Sequence, residues 1–130
     1  MMAASGALSQ QLGKVTEYGI YSKEHRLEKT TREIPIRADL RFGFCFEVRV
    51  DTREDSAMLV ETLSHPPVPG SSGVEDAGYN LPRLFKVDRG VARGCAGYRS
   101  TSEADLRPGI WKFTISDRGN DVVMQEFTVK

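Results

Sequence analysis

The chain has 130 residues, enough for one hydrophobic core and too few for two independent ones. Eighteen Lys and Arg balance eighteen Asp and Glu, so the basic excess that phosphate contacts demand of a nucleic-acid binder is missing. Hydrophobic residues make up 39% and charged residues 28%, as in ordinary soluble globular proteins, and no apolar run approaches the ~20 residues of a membrane helix.

Residues 1–12 are small and polar and read as a disordered leader, with one domain over residues 13–130. The leader lacks the basic start and sustained apolar stretch of a secretory signal, so the chain is assigned to the cytoplasm, unless a signal peptide has already been removed. From Gly13, Lys14-Val15-Thr16-Glu17-Tyr18-Gly19-Ile20-Tyr21 is rich in β-branched and aromatic residues and predicts a strand. Residues 22–33 carry eight charged side chains or histidines around the single apolar Leu27, too little to bury a helix face. They read as an exposed loop leading to an edge strand at Ile34-Pro35-Ile36, where proline is tolerated.

Residues 40–50 hold the clearest pattern in the chain. Phe42, Phe44, Phe46, Val48 and Val50 alternate with Arg41, Gly43, Cys45, Glu47 and Arg49, predicting a strand with one buried and one wet face. A polar turn follows, then a third long strand over residues 57–65. Its pattern does not decide whether Met58 and Val60 or Leu59 and Leu63 face inward. Pro66-Pro67-Val68-Pro69 and the Gly-Ser run after it predict a long irregular crossover reaching Asn80. A short strand at residues 84–87, a turn at Asp88-Arg89-Gly90 and a strand near residues 93–100 with Ala96 and Tyr98 inward come next.

Leu106 is expected to fold inward before a Pro108-Gly109 turn. Trp111, Phe113 and Ile115 then share one face of a strand, followed by a five-residue polar loop and a closing strand with Val123, Phe127 and Val129 on the core. About seven short strands with regular turn signals predict an all-β fold, an antiparallel immunoglobulin-like β-sandwich. The phenylalanine and tryptophan strands should face each other across it.

Several of these segments occur together in a known group. Gly19-Ile20-Tyr21, Ile34-Pro35, Phe42-Gly43-Phe44, His65-Pro66-Pro67, Gly97-Tyr98, Glu103, Pro108-Gly109-Ile110-Trp111-Lys112-Phe113 and Phe127-Thr128-Val129 appear in that order. The chain thereby resembles a bacterial family of domains of unknown function with an immunoglobulin-like sandwich, over about residues 13–129. The resemblance implies the fold and carries no established activity or catalytic residues. The Cys…Trp…Cys framework of antibody domains is absent.

Candidate chemistry is sparse. Cys45, Cys95, His25 and His65 are soft metal ligands, but they are scattered singly and lack zinc-site spacing. A Cys-His nucleophile would pair Cys95 with His65 or His25, with Arg93 lowering the thiol pKa. The loop acids Glu75, Asp76, Glu103 and Asp105 could serve a cation or acid–base site and otherwise are ordinary solvated carboxylates. Both cysteines are expected to be reduced thiols, the cytosolic default, with a single bridge as the alternative.

The expected function is a non-enzymatic binding or interaction module for an unknown protein or small ligand, with no cofactor, nucleic acid or membrane partner. Its binding surface is expected among Arg41, Arg49, His65, Arg93 and Cys95. One alternative is a small enzyme or metal-dependent site using Cys95, His65 and the loop carboxylates. Another is a structural subunit that dimerises through edge strands.

Overall fold

In the computed structural model, which describes residues 12–69 and 75–130, nine strands run in chain order. They are β1 (Gly13–Tyr21), β2 (Leu27–Lys29), β3 (Glu33–Ile34), β4 (Arg41–Arg49), β5 (Ser56–Pro69), β6 (Glu75–Asp88), β7 (Val91–Arg99), β8 (Gly109–Asp117) and β9 (Asn120–Val129). A 3-10 turn at Glu103–Asp105 precedes β8. The predicted leader, apart from Leu12, lies outside the described residues, as do residues 70–74 of the proline-rich segment.

The strands are hydrogen-bonded in the order β2-β1-β4-β7-β6-β5-β8-β9-β3. All neighbours are antiparallel except β3, which lies parallel to β9 through Glu33 and Ile34. The expected seven-stranded sandwich of two sheets is therefore corrected to nine strands in one continuous order, curled so that its halves face each other. The reason is β6. Its first part pairs with β5 along one half, and its last two residues pair with β7 of the other half.

Alternation in β4 works as its composition dictates. Phe42, Phe44, Phe46 and Val48 are buried, each worth about 1.5–3 kcal/mol relative to exposure. They meet β8 and β9 across the core. Phe42 packs edge-on against Trp111 at 5.8 Å and Phe127 at 5.2 Å, and Phe44 meets Phe113 at 5.5 Å. Leu106 is buried as expected, and the Trp111 indole N–H donates to the Arg107 carbonyl at 2.9 Å. Ile34 is fully buried at the edge strand.

In β5 the inward set is Leu59, Glu61, Leu63 and His65, while Met58 is 55% exposed. A carboxylate in the inward row is what makes the pattern ambiguous to read. The predicted long crossover is also corrected. β5 continues through the prolines to Pro69, and β6 starts at Glu75 instead of near Leu84. The pairing register shifts between Ser64 and Val68, and a bulge is where a strand accepts residues without an N–H, here Pro66 and Pro67.

Two turns tighten the hairpins. Arg89 and Gly90 join β6 to β7, and Arg118 and Gly119 join β8 to β9, all four with positive φ. This is the paired left-handed geometry of a type I′ turn, whose twist matches the strands it connects. The expected five-residue loop before the last strand thus shrinks to two residues. No helix of the described residues is long and apolar enough to cross a membrane.

Candidate functional site

β6 and β7 leave their hairpin as neighbours but separate after two residue pairs, Asp88↔Val91 and Val87↔Ala92. Beyond that point β6 stays with β5 and β7 stays with β4. The wedge between them opens into a cleft of about 490 Å³, within the range of small-ligand sites. One wall is the inward row of β6, Tyr79, Leu81 and Arg83, which continues the core face past the point where β7 covers it. Leu81 is consequently 48% exposed although it points to the inner side. The other wall is β7 from Cys95 to Arg99, with Gly43 and Arg41 of β4 behind it.

Glu61 stands at the base of the β6 wall. It is only 3% exposed and is engaged by the Tyr79 hydroxyl and by Arg83, both of which donate to it. Burying a carboxylate unpaired would be prohibitive, and these two donors are what make the position tolerable. Arg83 uses the same nitrogen to donate to the Cys95 carbonyl at 3.1 Å, bridging the wedge, and its guanidinium also lies over the Phe85 ring at 4.8 Å. Arg83 is thus the only side chain among the described residues whose hydrogen bonds link the two walls.

The tyrosines around the site hold their protons. Burial raises the Tyr79 phenol first, and its hydrogen bond to Glu61 raises it further; Tyr21 is raised by burial and by Glu17. Burial likewise raises Tyr98. Their folded pKa values exceed that of an unfolded tyrosine, about 10. Below that pH both states are protonated and the contribution is fully present. As pH rises past about 10 the unfolded chain ionises first, so folding stability falls. A denaturation midpoint that declines above about pH 10, less steeply in Tyr79→Phe, is the expected result of urea titrations read by circular dichroism.

Cys45 and Cys95 stand directly opposite in the β4–β7 register and form a disulfide, which corrects the expectation of two reduced thiols. The bond lies on the wet face beside Tyr21, whose hydroxyl is 3.8 Å from the Cys45 sulfur. It leaves Cys95 without the thiol that a Cys-His nucleophile requires.

Of the residues expected at a binding surface, Arg41 and Cys95 line the cleft. Arg93 faces its directly paired neighbour Glu47 at 3.7 Å, and Arg49 is an exposed strand end. His65 is not at a strand end in solvent: its side chain is 1% exposed, stacked on Trp111 at 4.1 Å with an interplanar angle of 14°. Its Nδ1 lies 2.7 Å from the Pro66 carbonyl oxygen and its Nε2 3.9 Å from Asp76. Asp105 closes a local turn, accepting from Thr101 and Ser102, and those bonds hold its pKa low. Glu61, Tyr79, Leu81, Arg83 and Arg99 were not singled out from the sequence. Glu61 alone carried a signal, a carboxylate in line with Leu59 and Leu63.

The sequence matches the family described as "Domain of unknown function (DUF3859)" over residues 9–129. The chain belongs to this family. No curated protein is similar to it by sequence. Among solved structures, an immunoglobulin-like protein from Pseudomonas aeruginosa is similar to this DUF3859 chain with a TM-score of 0.73 and 18% identity, covering 93% of this chain and 98% of that one. At that identity the likeness shows the fold: an all-β, immunoglobulin-like domain. A Pseudomonas fluorescens alkylpurine DNA glycosylase bound to DNA is similar with a TM-score of 0.50 and 12% identity, over 91% of this chain and 30% of that one. A Listeria innocua beta-glucosidase gives 0.46 and 13%, over 90% and 15%. The likeness to the glycosylase thus covers a minor part of that enzyme.

Proposed function

We propose that this DUF3859 domain is a non-enzymatic binding module whose ligand seat is the wedge between β6 and β7. The observation that carries this reading is the inward row of β6, which runs out of the core into an open cleft, leaving Leu81 half exposed between Tyr79 and Arg83. A core strand that merely closed a sandwich would have this row covered. A concave apolar wall with a few convergent polar groups is the general form of a binding site. Arg41 on the facing wall adds positive charge, while Arg99 beside it is paired with Asp39 at 3.1 Å.

The reading is tested by titrating the full chain with a panel of small dicarboxylates and blocked amino acids while following amide chemical shifts. Shifts clustered at Tyr79, Leu81, Arg83 and residues 95–99, lost in Leu81→Glu, are expected. Because Leu81 stands directly opposite the buried Glu61, Leu81→Gln, which adds no like charge, is the matched variant and should also lose the shifts, with both folds checked by circular dichroism. Shifts confined to other surfaces, or none, would overturn the assignment.

For the compartment, the Cys45–Cys95 bond favours an oxidising one over the cytoplasm expected from the sequence, since structural disulfides persist mainly where thiols are not kept reduced.

A further inference from the structure

We propose that the free edge of β7, residues 93–99, takes up an extended acidic peptide segment by β-strand addition inside the cleft. The proposal rests on the reading of that cleft as the ligand seat and names its ligand class.

A strand bonded on one side only presents its other row of N–H and C=O groups as a template. β7 is bonded to β4 along its whole length, from Arg41↔Arg99 to Arg49↔Val91, yet to β6 only at Val91 and Ala92. In an antiparallel ladder, successive residues turn their main-chain groups alternately to one neighbour and the other. Asp88 and Val91 close the two-residue turn, so Val91 faces β6. By the same alternation Arg93, Cys95, Gly97 and Arg99 also direct theirs into the wedge. The Cys95 carbonyl shows it: it receives the Arg83 guanidinium across the gap. A side chain thus sits where a strand would otherwise bond.

The opposite edge is less suited to pairing. Alternation from Asp88 turns Lys86, Leu84 and Pro82 of β6 toward the wedge, and Pro82 has no N–H to offer. β7 has no proline. Its edge is also open from both faces: the cleft is lined by Cys95, Gly97 and Arg99 together with Ala96 and Tyr98, which point to opposite sides of the sheet. Gly97 is paired directly with Gly43, so no side chain stands over that stretch of backbone. A Cβ at Gly97 would meet the Phe42 carbonyl oxygen at 2.7 Å, which keeps the position bare.

Charge selects the occupant. Of the arginines that line the cleft, Arg83 is held by the carboxylate of Glu61 and Arg99 by Asp39 at 3.1 Å, which leaves Arg41 as the cation open to a ligand. Arg41 has no ion-pair partner among the described residues. A segment with acidic side chains at alternate positions would meet Arg41 while its main chain pairs with β7. Strand addition supplies affinity through the backbone, and Arg41 supplies selection.

The test is a titration of the full 15N-labelled chain with a blocked heptapeptide of alternating glutamate and valine. Saturable shifts are expected to be largest at the amides of Arg93, Cys95, Gly97 and Arg99, with hydrogen exchange at those amides slowed at least about tenfold. The same peptide N-methylated at alternate bonds, and a lysine–valine analogue, should bind at least about tenfold more weakly, as should the acidic peptide to Arg41→Glu. If the acidic peptide leaves those four amides unmoved up to millimolar concentration, strand addition is overturned. If the N-methylated peptide binds as well as its parent, strand addition fails while the cleft survives as a side-chain-lined seat. If the dicarboxylate panel also fails to move any cleft residue, the seat itself fails. Shifts at the same four amides on simple concentration of the protein, with a dimer in light scattering, would replace the peptide by a second copy of the chain.

Discussion

Trp111→Ala is expected to destabilise the protein by about 3–5 kcal/mol, the range for removing a fully buried aromatic side chain. Trp111 is where three elements meet. It stacks on His65 of β5 and contacts Phe42 of β4 and Tyr98 of β7 edge-on. Truncation leaves a cavity between the two facing halves and removes the ring that covers His65, whose side chain is otherwise almost wholly enclosed. Since it is the only tryptophan, the loss must be followed by circular dichroism in urea and not by indole fluorescence. Ile110→Ala on the same strand, at a position 51% exposed, is the matched control and should change stability by no more than about 0.5 kcal/mol. Equal effects at the two positions would contradict the assignment of faces in β8.

Breaking the Cys45–Cys95 bond, by reductant or as the double variant Cys45→Ala/Cys95→Ala, is expected to cost about 2–5 kcal/mol. The two residues are 50 positions apart in sequence, and in the chain-entropy account a loop of that length corresponds to about 4 kcal/mol of restraint on the unfolded state. The bond joins two strands already paired in register, so the folded state should change little. Denaturation with and without reductant, paired with alkylation under denaturing conditions, reads both points. Two alkylated cysteines before reduction, or an unchanged midpoint after it, would remove the bridge from the account.

The phenylalanine and tryptophan strands were legible because their contacts obey a period of two that is written locally: Phe42 to Val50 and Trp111 to Ile115 need no knowledge of their partners. The inward face of β5 was not legible because Glu61 occupies a core position, and what makes that tolerable, Arg83 and Tyr79, lies on the next strand. Proline misled for a physical reason. Pro66 and Pro67 sit in a bulge, a place where a missing N–H costs little, yet in sequence they look like breakers. The sequence left the disulfide as an alternative because it is decided by the β4–β7 register alone. The cleft is a parting of strands after two residue pairs, and no periodicity encodes where neighbours separate.

The parallel pairing of β3 with the end of β9 has a bearing on how the chain is made. Ile34 is synthesised well before its strand partner Val129, which follows 95 residues later. Phe42 of β4 waits on the same strand for Phe127, while Phe44 and Phe46 pack on Phe113 and Phe85 of earlier strands. At synthesis rates of about 5–20 residues per second, the roughly 80 residues between β4 and the end of β9 take about 4–16 s to appear. Phe42 and Phe44 gain Trp111 and Phe113 once β8 is made, and Phe42 then still waits for Phe127. The pairing of β3 thus waits on β9, however early β3 itself is made.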